Sequence, residues 1–132
     1  MTLRDKQNQF IFDLGTFDDW SDKFNYLISL SEQLPKEFPE YLRKYKIEFC
    51  SSNTCLKACM HNDLLYLCGW SNSPVMGGII VAMTSIFNFT NEEELRDTKI
   101  DFHVKTGLID NLTQIRRAAI EEMINRITTL VV

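Results

Sequence analysis

The feature that most constrains the fold is a pair of short segments in which apolar and polar residues alternate. Residues 56–60 and 64–68 have the length and the two-residue period of β-strands, and the polar residues 61–63 separate them. A connection this short joins the strands of a hairpin. The two strands are therefore expected to be antiparallel, because a parallel pair needs a crossover of a dozen or more residues.

Helical patterns precede the hairpin. Residues 2–14 predict a first helix, and the apolar spacing over residues 17–34 predicts a second one, which Pro35 stops. Thr16 and Asp19 are interpreted as the capping box of this second helix. A short helical turn near residues 39–43 and an extended chain near Ile47 are expected to follow.

Helical patterns also follow the hairpin. Residues 75–87 are almost uniformly apolar and predict a helix that is packed almost all round, with Asn72 or Ser73 as its N-cap. Gly77 and Gly78 imply that another backbone approaches this helix closely. Three later signals are Thr90 with Glu93 as the cap of a short helix, Gly107 as the end of another and Thr113 as the start of the last.

The order helices, hairpin, helices predicts an α+β fold, in which a small antiparallel β-sheet packs against several α-helices. A length of 132 residues with 45% hydrophobic residues is enough for one core and short for two. We therefore expect a single domain over residues 1–132, without linkers or internal repeats.

Charge and composition exclude several classes of function. Eighteen acidic residues against fourteen basic ones give a formal charge of -4, which offers no electrostatic reason to bind nucleic acid. The chain begins without the apolar run of a signal peptide, and its longest apolar stretch, around residues 79–83, is far short of a membrane span. We expect a cytoplasmic protein that binds neither membranes nor nucleic acid.

Four cysteines in a reducing compartment must each be buried, metal-binding or reactive. Cys50 lies in a small polar run typical of an exposed loop, and is either a candidate nucleophile or an inert, half-buried thiol. Cys55 and Cys59 share one face of the first strand, where packing is the expected role. With Cys68 included, the spacing lacks the paired knuckles of a zinc site, so no metal is expected. His61 and His103 have no recognisable catalytic partners.

The motifs, taken in order, resemble the SufE family (SufE/CsdE-type) of iron-sulfur metabolism proteins. The resemblance spans roughly residues 10–130 and depends on order and spacing more than on one motif. It is carried by residues 17–28, Leu34-Pro35, Cys50-x-Ser52-x-Thr54, residues 69–80 and residues 110–116.

The resemblance implies a SufE/IscU-like fold and a sulfur acceptor that stimulates a cysteine desulfurase. Cys50 matches the family's persulfide acceptor, and Arg116 matches an arginine used in transfer or docking. The implied partners are a SufS/CsdA-like, pyridoxal-phosphate cysteine desulfurase and an iron-sulfur scaffold that receives the sulfur. The chain itself is expected to bind no cofactor.

The chain departs from the family pattern at three positions. Phe49 replaces the glycine that usually precedes the acceptor, Cys55 replaces a tryptophan, and Asn72 replaces an aspartate beside the cysteine loop. Phe49 and Asn72 are therefore expected to influence partner binding. Two purely structural interpretations stay open. Phe49 packs in the core, and Arg116 with Arg117 lies at the solvent-exposed start of a helix.

Two other classes of function remain as alternatives to sulfur transfer. The first is an interaction module that docks on a desulfurase without carrying sulfur. The second is an iron-sulfur or zinc scaffold, for which an IscU-type chain has cysteines spread over distant parts of its sequence. No cysteine follows Cys68 here, which argues against the scaffold.

Overall fold

The computed structural model describes residues 1–48 and 52–131. The sheet consists of β1 and β2, and helices flank it on both sides in the chain. In chain order the elements are α1 (Leu3–Gly15), α2 (Trp20–Ser31), a 3-10 helix (Glu40–Tyr45), β1 (Thr54–His61), β2 (Leu64–Ser71), α3 (Pro74–Phe87), α4 (Glu92–Asp97), α5 (Phe102–Lys105), a 3-10 helix (Ile109–Asn111), α6 (Gln114–Thr128) and a 3-10 helix (Thr129–Val131). The α+β prediction is confirmed.

The hairpin is antiparallel, as predicted, and its strands are longer than the sequence pattern indicated. Pairing runs from Thr54 opposite Ser71 to His61 opposite Leu64. The connection therefore has two residues instead of three. Asn62 and Asp63 both adopt positive φ, 51° and 65°, which is the backbone of a type I′ turn.

The two faces of the sheet pack against different partners. Leu56, Leu65 and Leu67 face the main core, which α3 and the other long helices complete. On the opposite face, Cys55 and Trp70 pack against Leu42 of the 3-10 helix Glu40–Tyr45. Cys55 and Leu56 therefore lie on opposite faces, as neighbouring residues of a strand do.

Helices α2 and α3 pack closely against each other at two glycines of α3. A Cβ atom placed on Gly78 would lie 1.9 Å from the carbonyl oxygen of Leu27, and one placed on Gly77 would lie 3.1 Å from Cβ of Ser31. The close approach predicted from the two glycines is confirmed. As the sequence indicated, α3 is packed almost all round, with nine buried residues.

Two predicted caps are wrong by a few residues. Helix α2 begins at Trp20, and Asp19 is its N-cap, accepting a hydrogen bond from the amide of Asp22 at 2.8 Å. Thr16 instead donates its hydroxyl to the Asp13 carbonyl at the end of α1, at 2.7 Å. The helix also stops at Ser31, before Leu34.

The start of α4 shows the same shift. Asn91 is its N-cap and accepts from the amide of Glu94 at 2.8 Å, while Thr90 donates its hydroxyl to Phe87 at the end of α3. In both places the threonine satisfies a carbonyl of the preceding helix, and the better capping residue follows it. The predicted roles of Ser73 and Thr113 as N-caps, and of Gly107 (φ 77°) after α5, are confirmed.

A polar clasp joins α1 to the start of α5. The side chain of Gln7 is fully buried, and its Oε1 accepts hydrogen bonds from the amides of Asp101 and Phe102 at 2.8 and 3.1 Å. Its Nε2 donates to the carbonyl of Lys99 at 3.0 Å. Arg4 forms an ion pair with Asp101 at 2.6 Å, which holds the pKa of that carboxyl below its usual range. None of the described helices is long and apolar enough to cross a membrane.

Candidate functional site

The predicted acceptor lies in the connection between the 3-10 helix Glu40–Tyr45 and β1. Cys50 and its neighbour Phe49 fall outside the described residues. The chain on either side of them is described, and its two ends are joined. The amide of Ile47 donates to the carbonyl of Thr54 at 2.8 Å, and Lys46 pairs with Cys55 in an antiparallel bridge. The connection that contains Cys50 therefore starts and ends at adjacent points on the edge of β1.

Asn72 holds the end of this connection. The amide of Asn53 donates to Oδ1 of Asn72 at 3.0 Å, and the amide of Asn72 donates to the carbonyl of Asn53 at 3.1 Å. Asn72 is exposed and directly follows β2. We call residues 48–53, which contain Cys50, the cysteine segment. The structure thus brings the predicted site residue Asn72 to Asn53, at the end of this segment.

A row of hydroxyl groups continues inward from the same point. Ser52 and Thr54 are 2.8 Å apart at their side-chain oxygens, and Thr54 and Ser71 are 2.7 Å apart. The Ser71 hydroxyl also accepts from the amide of Ser73, the N-cap of α3, at 3.1 Å. Thr54 is fully buried, so these bonds tie the end of the cysteine segment to both strands and to α3.

Arg126 anchors the other end of the connection. Its guanidinium donates to the carbonyl oxygens of Tyr45, Lys46 and Leu56 at 2.7, 2.8 and 2.9 Å. It also pairs with Glu122 one turn earlier on α6. One side chain therefore joins the entry to the cysteine segment to β1 and to the last helix, through charge-assisted hydrogen bonds that are stronger than neutral ones.

The sequence analysis did not single out Arg126. The available signal was its position on α6, three residues after Met123 and next to Ile127, both of which are fully buried. A charged residue on the flank of a buried stripe needs partners, and here the partners are backbone carbonyls. Their identity depends on residues 70 to 81 positions away in the chain.

Arg116 lies near the start of α6, at the opposite end of that helix from Arg126. Its backbone amide donates to the hydroxyl of the N-cap Thr113, and its side chain is half-buried. Its guanidinium forms no ion pair with the described residues. Ten residues separate the two arginines, or about 15 Å along the helix axis. Arg126, rather than Arg116, contacts the described ends of the cysteine segment.

The three described cysteines differ in accessibility. Cys55 is 1% exposed, and burial raises the pKa of its thiol despite the opposing charges of Lys46, Arg126 and Arg43. Cys59 is half-buried on the same face of β1, and Cys68 is exposed, with its Sγ 3.1 Å from the Tyr41 hydroxyl. Burial with a raised pKa makes Cys55 a poor nucleophile, as expected for a packing residue.

The two histidines lie apart from this region. His61 is exposed at the end of β1 beside the turn. His103 is in the short helix α5, where burial lowers the pKa of its imidazole. Within residues 1–48 and 52–131, no three histidine, cysteine or acidic side chains come together as metal ligands.

An open groove lies beside Asn72, between the end of α2 and the start of α3. Its lining includes Leu34, Pro35, Trp70, Asn72 and Pro74. The indole nitrogen of Trp70 donates to the carbonyl of Pro35 at 2.7 Å and fixes one wall. The Leu-Pro pair of the sequence motif is thus adjacent to the residue that holds the cysteine segment.

Comparison with known proteins gives the class to which this arrangement belongs. The family model SufE, described as an Fe-S metabolism associated domain, matches residues 8–131. The chain belongs to the SufE family.

Two SufE-like relatives agree with this membership, and a solved structure shares the fold. An uncharacterized SufE-like protein of Rhizobium meliloti (strain 1021) is 32% identical over 127 residues, covering 91% of this chain and 90% of the relative. A second uncharacterized SufE-like protein, from Rhizobium etli, is 26% identical over 127 residues, covering 91% and 85%. The solution structure of a hypothetical protein from Thermus thermophilus matches the fold with a TM-score of 0.73 at 14% identity, covering 96% of this chain and 93% of that one.

Proposed function

We propose that this chain accepts sulfur on Cys50 from a cysteine desulfurase, stimulates that enzyme and passes the sulfur to an iron-sulfur scaffold. The observation that carries the proposal is the match to the Fe-S metabolism family, which extends over residues 8–131 and so includes the cysteine segment. The joined ends of that segment support it, because the hydrogen bond from the amide of Ile47 to the carbonyl of Thr54 brings together the chain before Cys50 and the chain after it.

The transfer step is a thiol exchange at a persulfide. The thiolate of Cys50 attacks the outer sulfur of the persulfide on the desulfurase cysteine, and a new S–S bond forms at Cys50. The original S–S bond breaks, and its electron pair leaves on the desulfurase cysteine as a thiolate. No external oxidant or reductant is required, and the pyridoxal phosphate that releases sulfur from free cysteine belongs to the desulfurase.

The other site residues have supporting roles in this proposal. Lys46, which pairs with Cys55 at the base of the segment, supplies a positive charge there, and a nearby cation favours the ionised form of a cysteine. Arg116, near the start of α6, is assigned to docking on the desulfurase. Asn72 fixes the chain that follows the acceptor, as its two hydrogen bonds to Asn53 indicate. Phe49, directly before the acceptor in the sequence, is assigned to partner binding.

Mass spectrometry after incubation with a desulfurase and free cysteine tests the assignment. The wild-type chain is expected to gain about 32 Da, one sulfur atom, on the peptide that contains Cys50. Cys50→Ser is expected to lose this gain and to lose stimulation of desulfurase turnover. Cys68→Ser is the matched control, because Cys68 is an exposed thiol outside the proposed site. Sulfur uptake by Cys50→Ser at the wild-type level would show that another thiol is the acceptor.

The same samples separate the alternative functions. An interaction module would bind and stimulate the desulfurase with no mass gain at any cysteine. A scaffold would instead become brown after anaerobic reconstitution with iron and sulfide, since iron-sulfur clusters are held by cysteine thiolates. A colourless protein with the added sulfur supports transfer.

A further inference from the structure

A group of basic and aromatic side chains stands beside the cysteine segment. This basic ridge comprises Tyr41, Arg43, Lys44, Tyr45, Lys46 and Lys57. Four of its members carry positive charge in a chain whose formal charge is -4. Because the chain as a whole carries a negative charge, the ridge is a local region of positive charge rather than part of a uniformly basic surface.

Two ammonium groups of the ridge converge on one ring. Nζ of Lys44 lies 5.4 Å from the centre of the Tyr45 ring, and Nζ of Lys57, on β1, lies 5.6 Å from the same centre. Each contact is a cation–π interaction, which places the charge without neutralising it. The tyrosine thus brings together two like charges from separate elements.

No carboxylate neutralises these lysines within the described chain. Lys44, Lys46 and Lys57 form no ion pair with residues 1–48 and 52–131. Arg43 pairs with Glu40 at 2.7 Å, but both side chains are about 70% exposed, so solvent screens that pair. The ridge therefore retains a net positive potential that an external acidic group can use.

The ridge is continuous with the segment that contains the acceptor. Lys46 forms the bridge to Cys55 at the base of the segment, and the 3-10 helix Glu40–Tyr45 leads directly into it. Tyr41 adds a side chain that is 63% exposed. Tyrosine and arginine are enriched at protein interfaces, whereas lysine is depleted there, so the lysines of the ridge fit the polar rim of an interface.

We propose that the basic ridge docks on an acidic surface patch of the cysteine desulfurase. The identity of the partner rests on the proposed function, whereas the charge of the patch follows from the ridge. Complementary charge mainly accelerates encounter and fixes orientation, and its effect falls with ionic strength. Lys44 and Lys57 orient the approach, and they take no part in the breaking and forming of S–S bonds.

A charge reversal on the ridge and a matched one elsewhere test this proposal. Lys44→Glu and Lys99→Glu change the net charge equally, and both side chains are exposed. Lys44→Glu is expected to raise the concentration of chain that half-saturates the desulfurase roughly 10-fold at about 50 mM salt, with unchanged maximal turnover. Lys99→Glu is expected to stay within about 2-fold of wild type, and the difference between the variants should shrink at about 0.5 M salt. Equal behaviour of the two variants would overturn the proposal.

A second probe reports on the ridge without any sulfur transfer. An acetylated hexaglutamate peptide is titrated into the wild-type chain, and amide chemical shifts are followed by NMR. Shifts centred on residues 41–46 and Lys57, lost in Lys44→Glu and kept in Lys99→Glu, support the ridge. Shifts spread over lysines elsewhere, or no shifts, count against it. If the peptide and the desulfurase bind at the ridge but Cys50 gains no sulfur, the docking surface stands and the proposed transfer function fails.

Discussion

Asn53 and Asn72 hold each other through two hydrogen bonds of opposite direction, one backbone to side chain at 3.0 Å and one backbone to backbone at 3.1 Å. The pair joins the exit of the cysteine segment to the residue that follows β2. The bond from the amide of Asn53 requires a side-chain oxygen at position 72, which explains a polar residue there. An aspartate supplies the same acceptor, and an alanine does not.

The effect of substituting Asn72 on stability should therefore depend on whether the new side chain still offers a hydrogen-bond acceptor to the amide of Asn53. Asn72→Asp should retain the stability of the wild-type chain within about 0.5 kcal/mol, and Asn72→Ala should lose about 1 kcal/mol, the net value of one hydrogen bond. Urea unfolding measures both. The rate of Cys50 alkylation by iodoacetamide should change in Asn72→Ala and stay near the wild-type rate in Asn72→Asp. Identical alkylation rates in all three proteins would show that Asn72 does not influence the reactivity of Cys50.

Replacing Arg126 is expected to lower the free energy of unfolding more than replacing Asn72 does. Arg126→Gln removes charge-assisted donors from three carbonyls and should lower the free energy of unfolding by about 2 to 4 kcal/mol. Arg126→Lys restores a charge without the fork of donors and should recover only part of this loss. The control is Arg117→Gln on the same helix, at an exposed position, which should cost less than about 0.5 kcal/mol. A loss in Arg126→Gln as small as in the control would contradict the anchoring role.

The surroundings of Gly78 and Gly15 predict opposite effects of an alanine substitution on stability. Gly78→Ala should destabilise the protein by more than about 3 kcal/mol, because its Cβ would overlap the backbone of Leu27 and force the helices apart. Gly15→Ala should stabilise it by about 0.5 kcal/mol, since no atom lies within 4 Å of the added Cβ and alanine is the better helix residue. Thermal unfolding of the two variants makes the comparison. A stable Gly78→Ala protein would mean that the helices are not held this closely.

Because Arg4 and Asp101 form an ion pair, the free energy of unfolding should depend on pH in the acid range. The folded pKa of Asp101 is lowered, chiefly by the hydrogen bond from Arg4, so the unfolded chain binds more protons in the acid range. The contribution of this carboxylate is present above its unfolded pKa of about 4 and is lost as the pH falls through the folded pKa.

Asp101→Asn should therefore be less stable than wild type at pH 7, with a difference that narrows below about pH 4. Urea unfolding at a series of pH values gives this comparison. Asp97→Asn is the control, because Asp97 is exposed and forms no ion pair with the described residues. A constant difference between Asp101→Asn and wild type across the acid range would exclude the linkage.

Local sequence signals were sufficient for the parts of the fold that depend on neighbouring residues. The hairpin follows from alternation and a polar turn, and the helix ends at Ser73, Gly107 and Thr113 follow from capping chemistry. Where two capping residues compete, as at Thr16 and Asp19, the sequence does not say which helix each one serves. The structure assigns the threonine to the helix before and the acid to the helix after.

The site was predictable only in part, for a physical reason. Asn72 could be placed beside the cysteine segment by resemblance, and its contact with Asn53 agrees with that placement. The contacts of Arg126 could not be anticipated, because they join carbonyls that are brought together by the fold and have no side-chain signature. The roles of Cys50, Phe49 and Arg116 in sulfur transfer stay predictions.

The buried amide of Gln7 also bears on the order in which the chain folds. Its hydrogen bonds to Asp101 and Phe102 close a loop of more than ninety residues, whereas the hairpin and the pairing of α2 with α3 join segments much nearer in sequence. Distant contacts carry the largest loop-closure entropy and form after local ones. We therefore expect Gln7→Ala to raise the unfolding rate more than it lowers the folding rate, which stopped-flow kinetics in urea would measure.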